Sequence, residues 1–99
     1  VHAATVPNVH ERAIYTIDWA CDAAGGLIAT GGGDDTLGVL RATMDGSLSG
    51  MPASLALIGT TPSAHAGDVN AVAWRPRDEM AVLASCGDDG QLRLWRRLP

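Results

Sequence analysis

The chain has no phenylalanine, one tyrosine and two cysteines among its 99 residues, and its seven basic side chains are outnumbered by eleven acidic ones, for a net charge of −4. That balance leaves no basic footprint with which to displace counterions from a nucleic acid, so direct nucleic-acid binding is not expected. Cys21 and Cys86 stand far apart with no Cys-x-x-Cys spacing. Neither a disulfide framework nor a zinc or cluster site is indicated, and both thiols are expected to be buried as small hydrophobes. No run approaches the ~20 apolar residues that span a bilayer, and the first residues lack a charged-then-apolar signal pattern. A reduced, soluble compartment is the expectation, with no membrane partner.

What the sequence does contain is a repeat. Residues 10–40 and 65–95 are one unit written twice at a constant offset of 55, without a gap. His10 pairs with His65, Trp19 with Trp74, Ala29 with Ala84, Thr30 with Ser85, Gly32 with Gly87, Asp34 with Asp89, Leu37 with Leu92, and Leu40 with Trp95. A recurring unit of this kind reads as a module that buries its faces only by stacking on neighbours.

Within each unit, short apolar runs separated by turn residues predict strands and an all-β fold. The first strand is expected over 13–19 and again over 69–74. Its apolar residues lie on both faces (Ile14, Ile17, Trp19; Val69, Val72, Trp74), which predicts a strand covered on either side, with both tryptophans in the core. The second strand is expected over 27–31 and 81–86, and the third over 37–42 and 91–96. Gly33-Asp34-Asp35 and Asp88-Asp89-Gly90 supply the tolerance of positive φ that the tight turns between them need. A fourth strand over 54–59 completes the first unit. Only Arg97, Leu98 and Pro99 follow the third strand of the second, so its outer member is expected from elsewhere. The offset exceeds the ~40–45 residues usual for such a unit, and the excess is assigned to a long surface loop over 41–52. Residues 1–9 are read as the end of a preceding sheet, with a leftover strand at 1–6, and a linker. Residues 10–60 form the first unit and 61–99 the second.

At these positions the chain resembles the WD-repeat family of β-propellers. A histidine opens each unit, a tryptophan ends the first strand, and a hydroxyl residue stands four positions before the turn aspartate. His65, Ser85, Asp89 and Trp95 match that family's structural tetrad of hydrogen-bonded side chains; His10, Thr30 and Asp34 match three of four, with Leu40 in place of the tryptophan. Arg96 stands where the family's eponymous aspartate would be, and Ala64 where glycine usually precedes the histidine. The resemblance implies about two four-stranded blades of a seven-bladed ring, whose last blade takes its fourth strand from the N-terminus of the full protein. The strings 13–19, 33–35, 64–65 with 68–74, and 83–90 are similar to the last two blades of the WD-repeat subunit of the cytosolic iron-sulfur protein assembly machinery. This narrower resemblance implies a docking subunit that binds no cluster or other cofactor itself. Its partners would be a small α/β targeting subunit, a HEAT-repeat adaptor and a hydrogenase-like cluster carrier, in the cytoplasm and also in the nucleus. Another WD-repeat adaptor, of a ubiquitin ligase, chromatin or trafficking complex, stays open as an alternative. As about two blades of a larger ring, the chain is expected to be a fragment or partial gene model and poorly soluble alone.

Ser85, His65 and Asp89 are also the residue types of a nucleophilic triad, which leaves a hydrolase as a third reading. No Gly-x-Ser-x-Gly elbow surrounds Ser85, however, and a buried brace accounts for the same three residues. The acid pairs Asp34-Asp35 and Asp88-Asp89 lack the further acids of a calcium loop and read as turn chemistry. The spacing of His2 and His10 to Cys21 matches no metal cage, and His2 is expected to face water. No catalytic, cofactor-binding or metal-binding residue is therefore assigned. Partner contact is expected at the loops before each first strand, 8–12 and 63–68, whose charged members are Glu11, Arg12 and Asp68.

Overall fold

The computed structural model describes residues 4–22, 25–44, 52–76 and 81–96. Seven strands form over these residues: β1 Ile14–Ala20, β2 Gly25–Gly32, β3 Leu37–Met44, β4 Pro52–Thr61, β5 Val69–Trp74, β6 Val82–Gly87 and β7 Leu92–Arg96. They build two antiparallel sheets, one ordered β1-β2-β3-β4 and the other β5-β6-β7. Every neighbour in a sheet is also a neighbour in sequence, the simplest meander.

The repeat extends to backbone irregularities that the sequence alone does not announce. The β1–β2 ladder shifts register between Ile14 and Thr16, and the β5–β6 ladder does so between Val69 and Ala71, at the same place in each unit. A bulge there leaves one extra residue, Tyr15 or Asn70, free to lean over the turn that follows β2 or β6. Asn70 donates from Nδ2 to Asp88 Oδ1 at 2.6 Å. Asp35 and Gly90 both hold the left-handed conformation, at φ 64° and 73°, and close equivalent turns. Asn8 and Ser63 are a second matched pair, at φ 60° and 52°.

The two sheets pack face to face over Ala29, Leu37, Ala64, Val69, Val72 and Leu83, with Trp74 and Trp95 against the edge of the cluster. Small residues let the sheets approach closely: a Cβ on Gly31 would stand 2.5 Å from Val69 Cγ1. Three hydrogen bonds that involve side chains cross the seam among the described residues. The backbone N–H of Trp74 donates to Asp18 Oδ2 at 2.7 Å, and its indole N–H donates to the Asp18 carbonyl at 3.1 Å. The Val72 N–H reaches Thr16 Oγ1 at 3.3 Å.

Four expectations need correction. The predicted loop over 41–52 is too long, because β3 runs to Met44 and Pro52 already pairs with it. The reason is visible in the side chains: Arg41 out, Ala42 in and Thr43 out keep the period of two that a strand requires. What remains of that loop, 45–51, lies outside the described residues. Second, β1 is not covered on both sides; Ile14, Ile17 and Trp19 are exposed, Trp19 at 42%. Its face is apolar in type but has no described neighbour stacked on it. Third, Cys21 is exposed and Cys86 only half-buried, since Cys21 lies past the end of β1 and Cys86 on the open side of the second sheet. Finally, residues 4–9 form no strand. They lead up to His10, whose side-chain contacts are described below; the rest of the predicted leftover strand, with His2, lies outside the described residues.

Candidate functional site

Two histidines anchor matching hydrogen-bonded arrangements, one in each sheet. Each is carried by the segment before a first strand, and each ring bridges the turn and the second strand of its own sheet. His65 Nδ1 donates to Asp89 Oδ1 at 3.0 Å, and His65 Nε2 lies 2.8 Å from Ser85 Oγ. The Trp95 indole N–H donates to the same Ser85 oxygen at 2.9 Å. In the first unit His10 Nδ1 donates to Asp34 Oδ1 at 2.9 Å and His10 Nε2 lies 2.7 Å from Thr30 Oγ1. Leu40 supplies no donor there, so that chain ends at the threonine.

With the His65 ring neutral, the partners fix the direction of every bond in the second chain. An ionised carboxylate can only accept, so His65 must carry its proton on Nδ1. Its Nε2 is then an acceptor. An indole N–H can only donate, so Ser85 accepts from Trp95 and spends its own hydrogen on His65. The sequence Trp95 to Ser85 to His65 to Asp89 is thus a one-way relay in which each buried group is satisfied. No buried side-chain nitrogen or oxygen among the described residues lacks a partner.

Glycine makes room for both rings. A Cβ on Gly32 would stand 2.8 Å from His10 Nδ1, and one on Gly87 would stand 2.6 Å from the Asp68 carbonyl and 2.9 Å from His65 Cγ. The aspartates also clamp the loop that carries the histidine. The N–H of Glu11 donates to Asp34 Oδ2 at 2.9 Å, and that of Ala66 to Asp89 Oδ2 at 3.0 Å. Backbone donation from Ala66 and Gln91, with the His65 ring, holds the Asp89 carboxyl at a pKa of about 2. For Asp34, burial pushes upward but is outweighed by the His10 ring and the N–H groups of Glu11 and Thr36, and the pKa falls below its ordinary value.

Chemically, this arrangement holds elements together. His65 and Ser85 are almost wholly buried, at 1% and 2% exposure, so the serine oxygen has no face to offer a substrate. No group of three or more histidine, cysteine, aspartate or glutamate side chains among the described residues could hold a metal ion. Two open grooves flank the sheet seam. One, of about 240 Å³, is lined by Leu37, Val39, Ile58, Trp74, Leu83 and Trp95. The other, of about 720 Å³, lies at the ends of β1 and β5, beside Asp18, Trp19, Arg41 and Arg75. Neither reaches Ser85.

Of the residues assigned to partner contact, Glu11 and Arg12 are exposed and Asp68 is half-buried, its carbonyl taken by the Asp88 N–H at 3.0 Å. Sequence reasoning missed Asp18 and Thr16. The signal was there: they are polar residues inside an otherwise apolar strand, alternating on one face toward the second sheet.

Residues 57–96 match the profile of the WD domain, G-beta repeat. Over 95 residues, 96% of this chain, 42% are identical to the probable cytosolic iron-sulfur protein assembly protein CIAO1 of Bos taurus. The CIAO1 homolog of Nematostella vectensis is 40% identical over 91% of this chain, and human CIAO1 is 39% identical over 93%. In all three cases the chain spans 26% of the relative's length.

Proposed function

We propose, starting from an all-β chain whose residues 57–96 are a WD repeat and whose sequence is similar almost throughout to cytosolic iron-sulfur assembly proteins, that it is part of a non-catalytic interaction scaffold in that process. The observation that carries this reading is the 42% identity over 96% of the chain to a protein of that name. The site supports it from another side. Its serine, histidine and aspartate are spent on bracing the sheets, which leaves surfaces and loops, and not a reaction centre, as the means of action.

In this reading His65, Ser85, Asp89 and Trp95, with His10, Thr30 and Asp34, form the structural tetrad and its incomplete counterpart. The two sheets serve as blades of a seven-bladed ring in which residues 10–60 and 61–99 are successive units. The whole protein works in the cytoplasm, and in the nucleus as well, delivering clusters to apoproteins. It docks a small α/β targeting subunit, a HEAT-repeat adaptor and a hydrogenase-like cluster carrier, and binds no cluster itself. The loops that place Glu11, Arg12 and Asp68 before each first strand are the contact points, because they are rigidly held by the aspartate clamps and still present charge.

Affinity capture with the full-length protein that contains these residues tests the assignment. Recovery of the targeting subunit and the adaptor is expected, and their loss is expected when Glu11→Arg, Arg12→Glu and Asp68→Arg are combined. Capture of neither protein by the unaltered protein would overturn the assignment. Unchanged capture by the triple variant would overturn the role of the loops.

A further inference from the structure

The groove of about 720 Å³ at the ends of β1 and β5 is framed by the two sheets of the chain itself, at the opposite end of the strands from the loops 8–12 and 63–68. One wall is a row of side chains across the first sheet. Ala20 stands opposite Leu27 in one ladder, and Leu27 opposite Arg41 in the next. Directly opposed residues of antiparallel strands project to the same face, so the three side chains share one side. Leu27 lies two residues from Ala29, which is packed between the sheets, and that side is therefore the one turned toward the second sheet. Trp74 and Pro76 form the facing wall.

The second sheet is in place and still does not cover this row. Ala29, in the next row inward, is wholly buried, whereas Leu27 is half-buried and Ala20 and Arg41 are exposed. The charges around the groove are not equally engaged. Asp18 accepts the Trp74 N–H, and Asp22 and Arg75 already have partners. The Arg41 side chain has neither a hydrogen bond nor an ion pair among the described residues. The row is thus an apolar ledge carrying one uncompensated cation.

We propose that this groove docks an extended internal segment of a partner protein, with an acidic side chain on Arg41 and an apolar side chain two residues away, seated over Leu27 and Ala20 against Trp74. Charge selects the first group: a guanidinium receives a carboxylate through two parallel N–H donors, and a basic segment would be repelled. Strand geometry sets the spacing. Neighbouring strands lie about 5 Å apart, which puts Leu27 one strand and Ala20 two strands from Arg41, and side chains on one face of an extended segment recur about every 7 Å. The second side chain therefore falls between Leu27 and Ala20, where its burial adds to the contact. This inference rests on the scaffold reading and gives it a second contact, at the other end of the strands from Glu11, Arg12 and Asp68.

Display of random ten-residue segments, each fixed between flanking sequences so that neither end is free, against the immobilised full-length protein tests it. Enriched segments are expected to carry Asp or Glu with an aliphatic or aromatic residue two positions away. The most enriched one, synthesised with blocked ends and a fluorophore, should bind roughly tenfold more weakly to Arg41→Gln in an anisotropy titration, with Arg41→Lys recovering part of the loss. Ala20→Glu, which crowds the ledge and repels the acid, should abolish binding. Circular dichroism shows that each variant keeps its strands. Enriched segments without an acid, or an affinity untouched by Arg41→Gln, would overturn the proposal. So would a segment that binds only after Asp78→Asn and Glu79→Gln, since the chain's own acids would then be the occupant. Capture of the targeting subunit and the adaptor without enrichment of any such segment would remove this docking site and leave the scaffold reading standing.

Discussion

Replacing Ser85 by alanine should cost much more stability than replacing Thr30, although the two residues occupy the same place in the repeat. Ser85 Oγ holds both His65 Nε2 at 2.8 Å and Trp95 Nε1 at 2.9 Å. Among the described residues Thr30 Oγ1 holds only His10 Nε2, at 2.7 Å. A buried polar group left without its partner costs about 1–3 kcal/mol. Ser85→Ala strands the His65 acceptor in a fully buried site and also frees the Trp95 indole, which is half-buried and regains part of its bonding from water. The sum is about 2–4 kcal/mol, against roughly 1–2 kcal/mol for Thr30→Ala, and against a total of about 5–15 kcal/mol for a typical domain. Urea titration of the chain, followed by tryptophan fluorescence at a concentration where it is monomeric, would measure both as shifts of midpoint at constant slope. A cycle with Trp95→Phe apportions the loss: adding it to Ser85→Ala should cost far less than adding it to the unaltered chain, since the bond is already gone. Equal costs for the two alanine variants, or additive costs in the cycle, would refute the relay as described.

Three further outcomes are expected. Asp18→Ala removes the carboxylate that receives the Trp74 N–H at 2.7 Å across the seam and should destabilise by about 1.5–3 kcal/mol in the same titration, with Asp18→Asn recovering part of that. Gly87→Ala forces a Cβ to 2.6 Å from the Asp68 carbonyl and should cost about 1–3 kcal/mol, whereas Gly59→Ala, with open space around the added carbon, should be neutral within the error of a thermal melt. The third concerns acid: the folded pKa of Asp89 lies near 2, below its ordinary 3.8, so folding favours the ionised form. Its contribution is fully present above pH 3.8 and is lost as the pH falls from there toward about 2. Asp34 is shifted the same way. Stability measured against pH should therefore decline over that window, and Asp89→Asn should flatten the decline while lowering the plateau above it.

The hydrogen-bonded chains were legible in the sequence because their geometry is local. His65 precedes Ser85 by 20 residues and Asp89 by 24, the spacings of His10, Thr30 and Asp34 are the same, and antiparallel hairpins of fixed length convert those spacings into contacts. The strands followed from the same pattern, with β3 underestimated because the run 41–44 mixes Arg, Ala, Thr and Met and looks like a loop until its alternation is counted. The bulges at Tyr15 and Asn70 left no mark in composition. They are register events, set by how two strands must bend together over the turn.

Order along the chain, two equivalent sheets and the residues that brace each one were thus determined by the sequence itself, since each depends on neighbours a few tens of residues away. Which faces are covered was decided only by the tertiary structure. β1 and β5 carry the same apolar pattern, yet Val69 is wholly buried and Ile14 half-exposed; Leu37 and Leu92 are repeats of one another with opposite surroundings. Apolar patterning states what a face will tolerate against it. Burial is a property of the pair of surfaces that meet, and the choice of Asp18 as the acceptor across that meeting was visible only once the two sheets were set side by side.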